Sequence, residues 1–132
     1  MSKSLIQTSN TSSQTVAADS VISLGSVLRR FGCNCRLNGN AIELEGDGYY
    51  IVDVIVNAIP DEVGDVTIAL TQNDTVISGT TTTVTAAAVD TSVVLPIVTT
   101  IRLNCCTAKA LKVLLVDGAS TVTNISVRVY KV

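Results

Sequence analysis

The longest stretch of strand-forming residues in the sequence is residues 48–58, rich in β-branched and aromatic side chains. Gly46 and Gly48 before it and Pro60 after it delimit one long β-strand. Successive side chains of a strand point to opposite faces. One face of this strand is therefore wholly apolar and is predicted to lie in a core, and it comprises Tyr50, Val52, Val54, Val56 and Ala58.

The opposite face of the same strand mixes apolar and polar side chains. It carries Tyr49, Ile51 and Ile55 together with Asp53 and Asn57, which is more apolar than the solvent-facing side of an antiparallel strand usually is. An apolar surface of this kind marks an interaction site, and in a short chain a second copy of the chain is the expected partner. Tyr49, Ile51 and Ile55 are therefore predicted to lie at a subunit interface.

Shorter stretches with strand character follow one another along the rest of the chain, separated by Gly, Asn, Asp and Pro. In the last of them Thr123, Ile125, Val127 and Val129 are predicted to share one face. No segment has a helical period, so the chain is predicted to be all-β, with eight to ten strands in a jelly-roll sandwich or a small barrel. The predicted strands lie within residues 21–24, 27–31, 33–37, 41–45, 63–71, 76–85, 93–103, 110–116 and 121–130.

Residues 1–20 differ from the rest in composition. They are rich in Ser, Thr, Asn and Gln and offer few apolar side chains for burial. This composition is typical of a tail or linker. We therefore predict a polar attachment segment at residues 1–20, held against the body or a neighbouring subunit, and a single head domain at residues 21–132.

Composition limits the possible functions. Of the 132 residues 47% are hydrophobic but only 3% are aromatic, so Val, Ile, Leu and Ala must build the core. Charged residues make up 15% and the net charge is −2, which provides no basic field for nucleic acid or an anionic membrane. Neither a signal peptide nor an apolar run long enough to span a bilayer is visible, so we expect synthesis in a cytoplasm and no membrane insertion.

Catalysis has no candidate constellation in this sequence. The chain contains no histidine, which removes the commonest general base and the commonest metal ligand. The carboxylate pairs Asp61-Glu62 and Glu43-x-Glu45 are expected to be solvated charges on a turn and a strand. No Gly-rich loop precedes a helix, so phosphate-binding fingerprints are absent. We therefore expect no enzyme activity and no cofactor.

The four cysteines form two pairs, Cys33-x-Cys35 and Cys105-Cys106. Four thiolates could bind zinc if the two segments met, although the spacing differs from the usual Cys-x-x-Cys pairs. Disulfides between the segments are the second possibility, because a particle released from a cell meets oxidising conditions. Free, partly buried thiols are favoured for a chain made in a cytoplasm, and no metal is predicted.

Charged residues in the predicted strands allow two interpretations each. Asp53, if buried, needs a donor such as Arg102 or Arg128, and otherwise faces the rim of an interface. Arg29 and Arg30 could form a docking patch for an acidic neighbour, or they could be edge-strand charges that discourage aggregation. Pro96 lies inside a predicted strand, which indicates a sheet edge or a local bulge.

The order of these features resembles the globular heads of the tumour-necrosis-factor and complement jelly-roll superfamily, and among them the bacterial and phage versions. The resemblance covers about residues 20–132. It rests on Gly48-Tyr49-Tyr50 at the start of a long strand, on Val66 to Leu70 followed by Asn73 and Gly79-Thr80, on Thr91 to Leu95 leading to Ile101-Arg102-Leu103, and on the closing Ile125 to Tyr130. No collagen-like repeat precedes the head, and no acidic cluster suggests the calcium site of some members.

The resemblance implies a jelly roll of about ten strands that packs as a homotrimer, with the long strand in the inner sheet near the threefold axis. Tyr49, Ile51 and Ile55 would then be trimer-interface residues. The function expected from it is a structural virion component, either a capsid-decoration protein or a fibre head of a phage, bound to a capsid or fibre protein through the N-terminal segment.

The alternative function is an adhesin-like or lectin-like head that recognises a host-surface glycan or protein through its apical loops. The alternative location is a bacterial cell or spore surface. Tyr49 and Tyr50 could stack on a sugar, although rings in a long strand are expected in a core or an interface.

Overall fold

The computed structural model describes residues 3–104 and 108–132, and in this part of the chain the protein consists of β-strands and their connections, without a helix that could span a membrane. Three of the strands have only two or three residues, and the ten longer ones match the predicted number. Thirteen strands occur in the described ranges: β1 Leu5–Asn10, β2 Gln14–Val16, β3 Ser20–Val21, β4 Ser26–Phe31, β5 Cys35–Asn38, β6 Ala41–Glu45, β7 Gly48–Pro60, β8 Gly64–Gln72, β9 Thr75–Val76, β10 Thr82–Ala86, β11 Val93–Leu103, β12 Ala108–Asp117 and β13 Ser120–Lys131.

The strands form two antiparallel sheets. Sheet A has the order β11-β7-β13-β1-β4, and the short β2 pairs with β13. Sheet B has the order β10-β8-β12-β6-β5, with β3 paired to β12 and β9 paired to β8. Most neighbouring strands are distant in sequence, as in a jelly roll. Both sheets have open edges. Of the two predicted architectures, the sandwich and the barrel, the protein therefore has the sandwich.

The core lies between the sheets and consists of aliphatic side chains and one tyrosine. The predicted core face of β7 is confirmed, because Tyr50, Val52, Val54, Val56 and Ala58 are all buried. The inner face of β11 is confirmed in the same way, with alternate residues buried from Val93 to Leu103 apart from the half-buried Thr99. The Tyr50 hydroxyl satisfies its hydrogen bonding inside the protein by donating to the carbonyl oxygens of Glu45 and Gly46, at 2.8 Å and 2.9 Å.

The long strand β7 occupies an inner position in sheet A. It pairs along most of its length with β11 on one side and with β13 on the other. Its hydrogen-bonding edges are therefore used within the chain, and only its two faces remain to make further contacts. One face is in the core, so the other is the surface that the sequence predicts to be shared.

The N-terminal segment is part of the sandwich. Residues 5–10 form β1, which lies between β13 and β4 in sheet A. Ser4, Ile6, Thr8 and Val16 are buried. The domain boundary predicted at residue 20 therefore does not coincide with the start of the fold, because residues 3–20 already belong to the jelly roll. Composition was misleading here, since Ser and Thr can fill strand positions and bury their short side chains.

Side chains join the two sheets at the open edges of the sandwich. Pro96 lies on β11, an edge strand of sheet A, as its missing N–H predicts. Its carbonyl oxygen accepts a hydrogen bond of 2.7 Å from Thr82 Oγ1 on β10 of sheet B. At the other edge Arg30 Nε of β4 donates to the carbonyl oxygen of Cys35 on β5, also at 2.7 Å. Arg29 and Arg30 are thus edge-strand residues.

Candidate interface on the outer face of sheet A

The face of sheet A that points away from sheet B, called the outer face of sheet A below, carries the second set of β7 side chains. The structure brings the three predicted interface residues together there. Tyr49 and Ile55 are exposed, and Ile51 is half-buried between Thr100 of β11 and Tyr130 of β13. Their role in assembly remains a prediction, but their shared position supplies the surface that the prediction needs.

Strand β11 extends the same apolar surface. Val94 and Val98 point outward beside β7 and are exposed, and Pro96 between them lies opposite Ile55. The sequence analysis did not predict these residues at an interface, because the alternation in β11 identifies only its inner face as core. A signal was present, since every residue from 93 to 98 is apolar, and a strand that is apolar on both faces is expected to be covered on both.

A row of apolar side chains crosses sheet A on the other side of β7. Ile51 lies opposite Tyr130, Tyr130 opposite Leu5, and Leu5 opposite Phe31. Phe31 is exposed, whereas Tyr130 and Leu5 are half-buried by their neighbours. The sequence could not reveal this row while residues 1–20 were taken for a tail, because Leu5 is its connecting member.

The corresponding face of sheet B carries the exposed Val21 and Val76, but much of it consists of polar side chains that bind one another. Thr67 and Thr83 share a hydrogen bond of 2.9 Å, and Thr85 Oγ1 donates to Asp65 Oδ1 at 2.7 Å. Ion pairs join Arg36 to Glu43 at 3.3 Å and Lys112 to Asp74 at 3.1 Å. The exposed apolar side chains of sheet A are more numerous and lie side by side, so the outer face of sheet A is the better candidate for contact with another protein.

One ion pair interrupts the apolar surface near its middle. Arg128 of β13 lies directly opposite Asp53 of β7, with Nε donating to Oδ2 at 3.1 Å and Nη2 contacting the same oxygen. The guanidinium also lies over the ring of Tyr130, 5.3 Å from its centroid. Hydrogen bonding to Asp53 raises the pKa of Arg128 above its ordinary value, so the guanidinium stays charged. Of the two donors to Asp53 that the sequence allowed, Arg102 and Arg128, the structure therefore shows Arg128.

A second arginine lies at the end of the surface where β7 begins. The Arg102 guanidinium lies over the ring of Tyr49, 5.1 Å from its centroid, and Nη1 donates to Asp47 Oδ1 at 2.6 Å. This hydrogen bond raises the pKa of Arg102 above its ordinary value. The ring of Tyr49 is therefore oriented by a charged neighbour.

Two shallow hollows are present on the outer face of sheet A, and Gln7 and Arg128 border both. The first, of about 400 Å³, lies beside Asp53 and is also bordered by Ile55, Pro96 and Val98. The second, of about 660 Å³, has apolar walls that include Leu5, Phe31, Ile51 and Tyr130, with Lys3 and Lys131 at its rim. The surface is therefore uneven, with features into which side chains of a partner can pack.

The cysteine pair in the described part of the chain has two different environments. Cys33 is exposed, whereas Cys35 is buried on the inner side of β5, and both are free thiols. Burial raises the pKa of the Cys35 thiol to about 11. Cys105 and Cys106 lie outside the described residues. In residues 3–104 and 108–132 no group of three or more His, Cys, Asp or Glu side chains is arranged to hold a metal ion.

The carboxylate pairs considered for catalysis lie on the surface, as expected. Asp61 and Glu62 border a hollow of about 380 Å³ together with Asp65 and Asp117, at the end of the sandwich where β7 ends. Glu43, on β6, accepts hydrogen bonds from Asn38 and Arg36, which lower its pKa. A carboxyl group with a lowered pKa is a poor general acid at neutral pH.

No protein-family model matches the sequence, and no curated protein matches it. Solved structures do match the fold. Murine APRIL at pH 5.0 has a TM-score of 0.73 at 9% identity, and the alignment covers 99% of this chain and 100% of APRIL. The globular domain of zebrafish complement 1qA protein has a TM-score of 0.67 at 7% identity, with 96% and 94% coverage.

A viral protein has the same architecture. The PRD1 vertex protein P5 aligns with a TM-score of 0.63 at 13% identity, covering 98% of this chain and 96% of P5. The fold is a TNF/C1q-like jelly roll. At these identities the likeness establishes the fold alone.

Proposed function

We propose that this protein is a homotrimeric jelly-roll head with a structural role in a phage particle, as a capsid-decoration protein or the head of a short fibre. The observation that carries the proposal is the apolar outer face of sheet A, which exposes more large apolar side chains than the outer face of sheet B. The role is non-enzymatic in this proposal, and no cofactor takes part.

The physical argument for self-association starts from the exposed side chains. Tyr49, Ile55, Val94, Val98 and Phe31 all leave large apolar areas in water, and burying such area contributes about 25 cal/mol per Å². The half-exposed ion pair of this face is already neutralised within the protomer, so it can be covered without leaving a lone charge. A second and a third copy of the chain are the partners that every molecule of the protein has available.

The likeness to the PRD1 vertex protein supports the choice of a phage particle. A fold shared with a vertex protein of a virus suits a component that stands on a particle surface and does no chemistry. A low charged fraction of 15% also suits a protein whose surface is largely used in assembly.

Attachment to a capsid or fibre protein is proposed to involve exposed residues of the N-terminal segment. Strand β1 cannot bind a partner by strand addition, because both of its edges are hydrogen-bonded within sheet A. The exposed positions in residues 3–20 cluster mainly at 11–13 and 17–19. Alanine substitution of residues 11–13 is expected to reduce incorporation into particles while leaving the oligomeric state unchanged.

The decisive test is the mass of the unmodified protein in solution, measured by multi-angle light scattering over a range of concentrations. We expect three times the chain mass of 13.8 kDa. A monomer at all concentrations would remove the proposal. Mass spectrometry of purified virions should then detect this polypeptide among the particle proteins.

A glycan-array screen of the trimer separates the structural role from the adhesin-like alternative. No glycan binding is expected, because Tyr50 is buried and Tyr49 lies on a sheet face beneath Arg102. Saturable glycan binding would favour the binding head over the structural component.

A further inference from the structure

The Asp53–Arg128 ion pair is the charged feature at the centre of the outer face of sheet A. The two residues lie directly opposite each other on β7 and β13, and the row continues to Val98 on β11 and Gln7 on β1. Both hollows of the surface border Arg128. Any partner that covers this face must therefore cover the pair.

The pair contributes little to the folding of a single protomer. The side chains of Arg128 and Asp53 are 51% and 28% exposed, and ion pairs with such exposure contribute about 0–1 kcal/mol. Its properties change when a partner excludes water, because the loss of one member then leaves an unpaired buried charge. Inside an interface the pair is therefore neutral only while both residues are present.

The pair also has hydrogen-bonding capacity to spare. Asp53 Oδ2 accepts from Nε and Nη2 of Arg128, whereas Asp53 Oδ1 and Arg128 Nη1 have no hydrogen-bond partner in the two described ranges. A buried carboxylate oxygen or guanidinium N–H without a partner costs free energy. A second copy of the chain can place polar groups beside both atoms only in particular registers. Contacts between aliphatic side chains, in contrast, form in many registers.

We propose that the Asp53–Arg128 pair sets the register of the subunits, with polar groups of a neighbouring copy of this chain bonding to Asp53 Oδ1 and Arg128 Nη1. This inference rests on the proposed trimer. The apolar side chains supply the affinity, and the pair excludes registers and stoichiometries that leave its two open positions unsatisfied. A single buried polar residue restricts the register of coiled coils by the same physics.

The test compares variants of the full chain by native mass spectrometry and by the concentration at which half of the protein dissociates. Asp53→Asn and Arg128→Met each remove one charge, and Asp53→Leu with Arg128→Met replaces the pair by apolar groups. The Arg36–Glu43 pair of sheet B is a matched control, because it also joins opposed residues of neighbouring strands and is 59% and 22% exposed. Arg36→Met and Glu43→Gln are the control variants.

Each single change at the pair is expected to raise the half-dissociation concentration at least tenfold, while the control variants stay within about twofold. The apolar double variant is expected to associate again but to give a mixture of stoichiometries. Circular dichroism shows whether each variant is folded. If Arg128→Met does not fold, the test rests on the conservative Asp53→Asn.

Two results would count against the idea in distinguishable ways. A trimeric unmodified protein whose pair variants dissociate like the controls, or whose apolar double variant remains a pure trimer, overturns the inference alone. A monomeric unmodified protein overturns the proposed trimer and the inference with it.

Discussion

Ile55 of β7 lies directly opposite Pro96 of β11, and both point outward from sheet A. On its other side Ile55 faces Ser126 of β13, so it stands in the middle of the proposed interface. We predict that Ile55→Asp abolishes trimer formation. A carboxylate buried without a partner costs several kcal/mol, and about 3 kcal/mol already corresponds to a more than 100-fold weaker association.

Light scattering of Ile55→Asp at a fixed concentration measures this effect. Val76→Asp is the control, because Val76 on β9 is 46% exposed and Ile55 is 48% exposed, but Val76 belongs to sheet B. The control should remain trimeric. A trimeric Ile55→Asp protein would show that this face is not the contact surface.

Thr80 acts as a buried hydrogen-bonding link in sheet B. Its hydroxyl donates to the carbonyl oxygen of Ile77 at 2.7 Å and lies 3.2 Å from both the amide nitrogen and the carbonyl oxygen of Leu70. Thr80→Val keeps the shape and removes these bonds, so we expect a loss of about 1–3 kcal/mol in the free energy of unfolding. Denaturant titration at fixed protein concentration measures it. Thr81→Val, at an exposed neighbouring position, should change stability by less than about 0.5 kcal/mol.

A Thr→Val substitution at Thr8 should raise the free energy of unfolding, the opposite of the effect expected at Thr80. It is fully buried on the inner face of β1, and its hydroxyl has no hydrogen-bond partner in the described part of the chain. Thr8→Val replaces an unsatisfied polar group by a methyl group of similar size, which should raise the free energy of unfolding by up to about 1 kcal/mol. A destabilised Thr8→Val protein in the same titration would mean that the hydroxyl has a bound partner, such as a water.

The two described thiols should differ in reactivity. Cys33 is exposed and Cys35 is buried with its pKa raised from 9.0 to about 11. At pH 8 the thiolate fraction of Cys35 is then about 100-fold below that of an ordinary thiol, and burial slows access further. Alkylation in reducing buffer, followed by peptide mass spectrometry, should label Cys33 first. Equal labelling rates in the folded protein would contradict the assigned burial, and equal rates in guanidinium are the expected control.

The raised pKa also sets the direction of a pH effect. A thiol with a raised pKa in the folded state stabilises the fold fully below its ordinary pKa, and this contribution is lost as the pH rises from 9 towards 11. The unfolding free energy should therefore decline more steeply in this interval for the unmodified protein than for Cys35→Ala. Equal slopes for the two proteins would show that the thiol does not ionise differently on folding.

The alternation of apolar and polar residues was enough to predict the main strands and their inner faces. In β7 and β11 the buried set follows from the sequence, because a strand has only two faces and one of them is wholly or almost wholly apolar. Residues 121–130 show the limit of this argument. A bulge between Val122 and Asn124 places Val122 in the core, so Thr123 does not share the face of Ile125, Val127 and Val129 as predicted.

The interface was only partly predictable for a related reason. Tyr49, Ile51 and Ile55 could be recognised within one strand. Leu5 and Phe31 become part of the surface only through pairings between distant segments, and nothing local in a sequence records which strands become neighbours. The choice of Arg128 as the partner of Asp53 is a fact of the same kind, since the two residues are 75 positions apart.

The first long strand of the protein is completed by its last one. Residues 5–10 bind residues 125–130 in sheet A, so the N-terminal strand leaves the ribosome long before its partner has been translated. Closing such a distant pairing is slow compared with local contacts. During synthesis one edge of β1 can pair with β4, which follows it closely in the chain, whereas its other edge stays open until residues 125–130 have been translated.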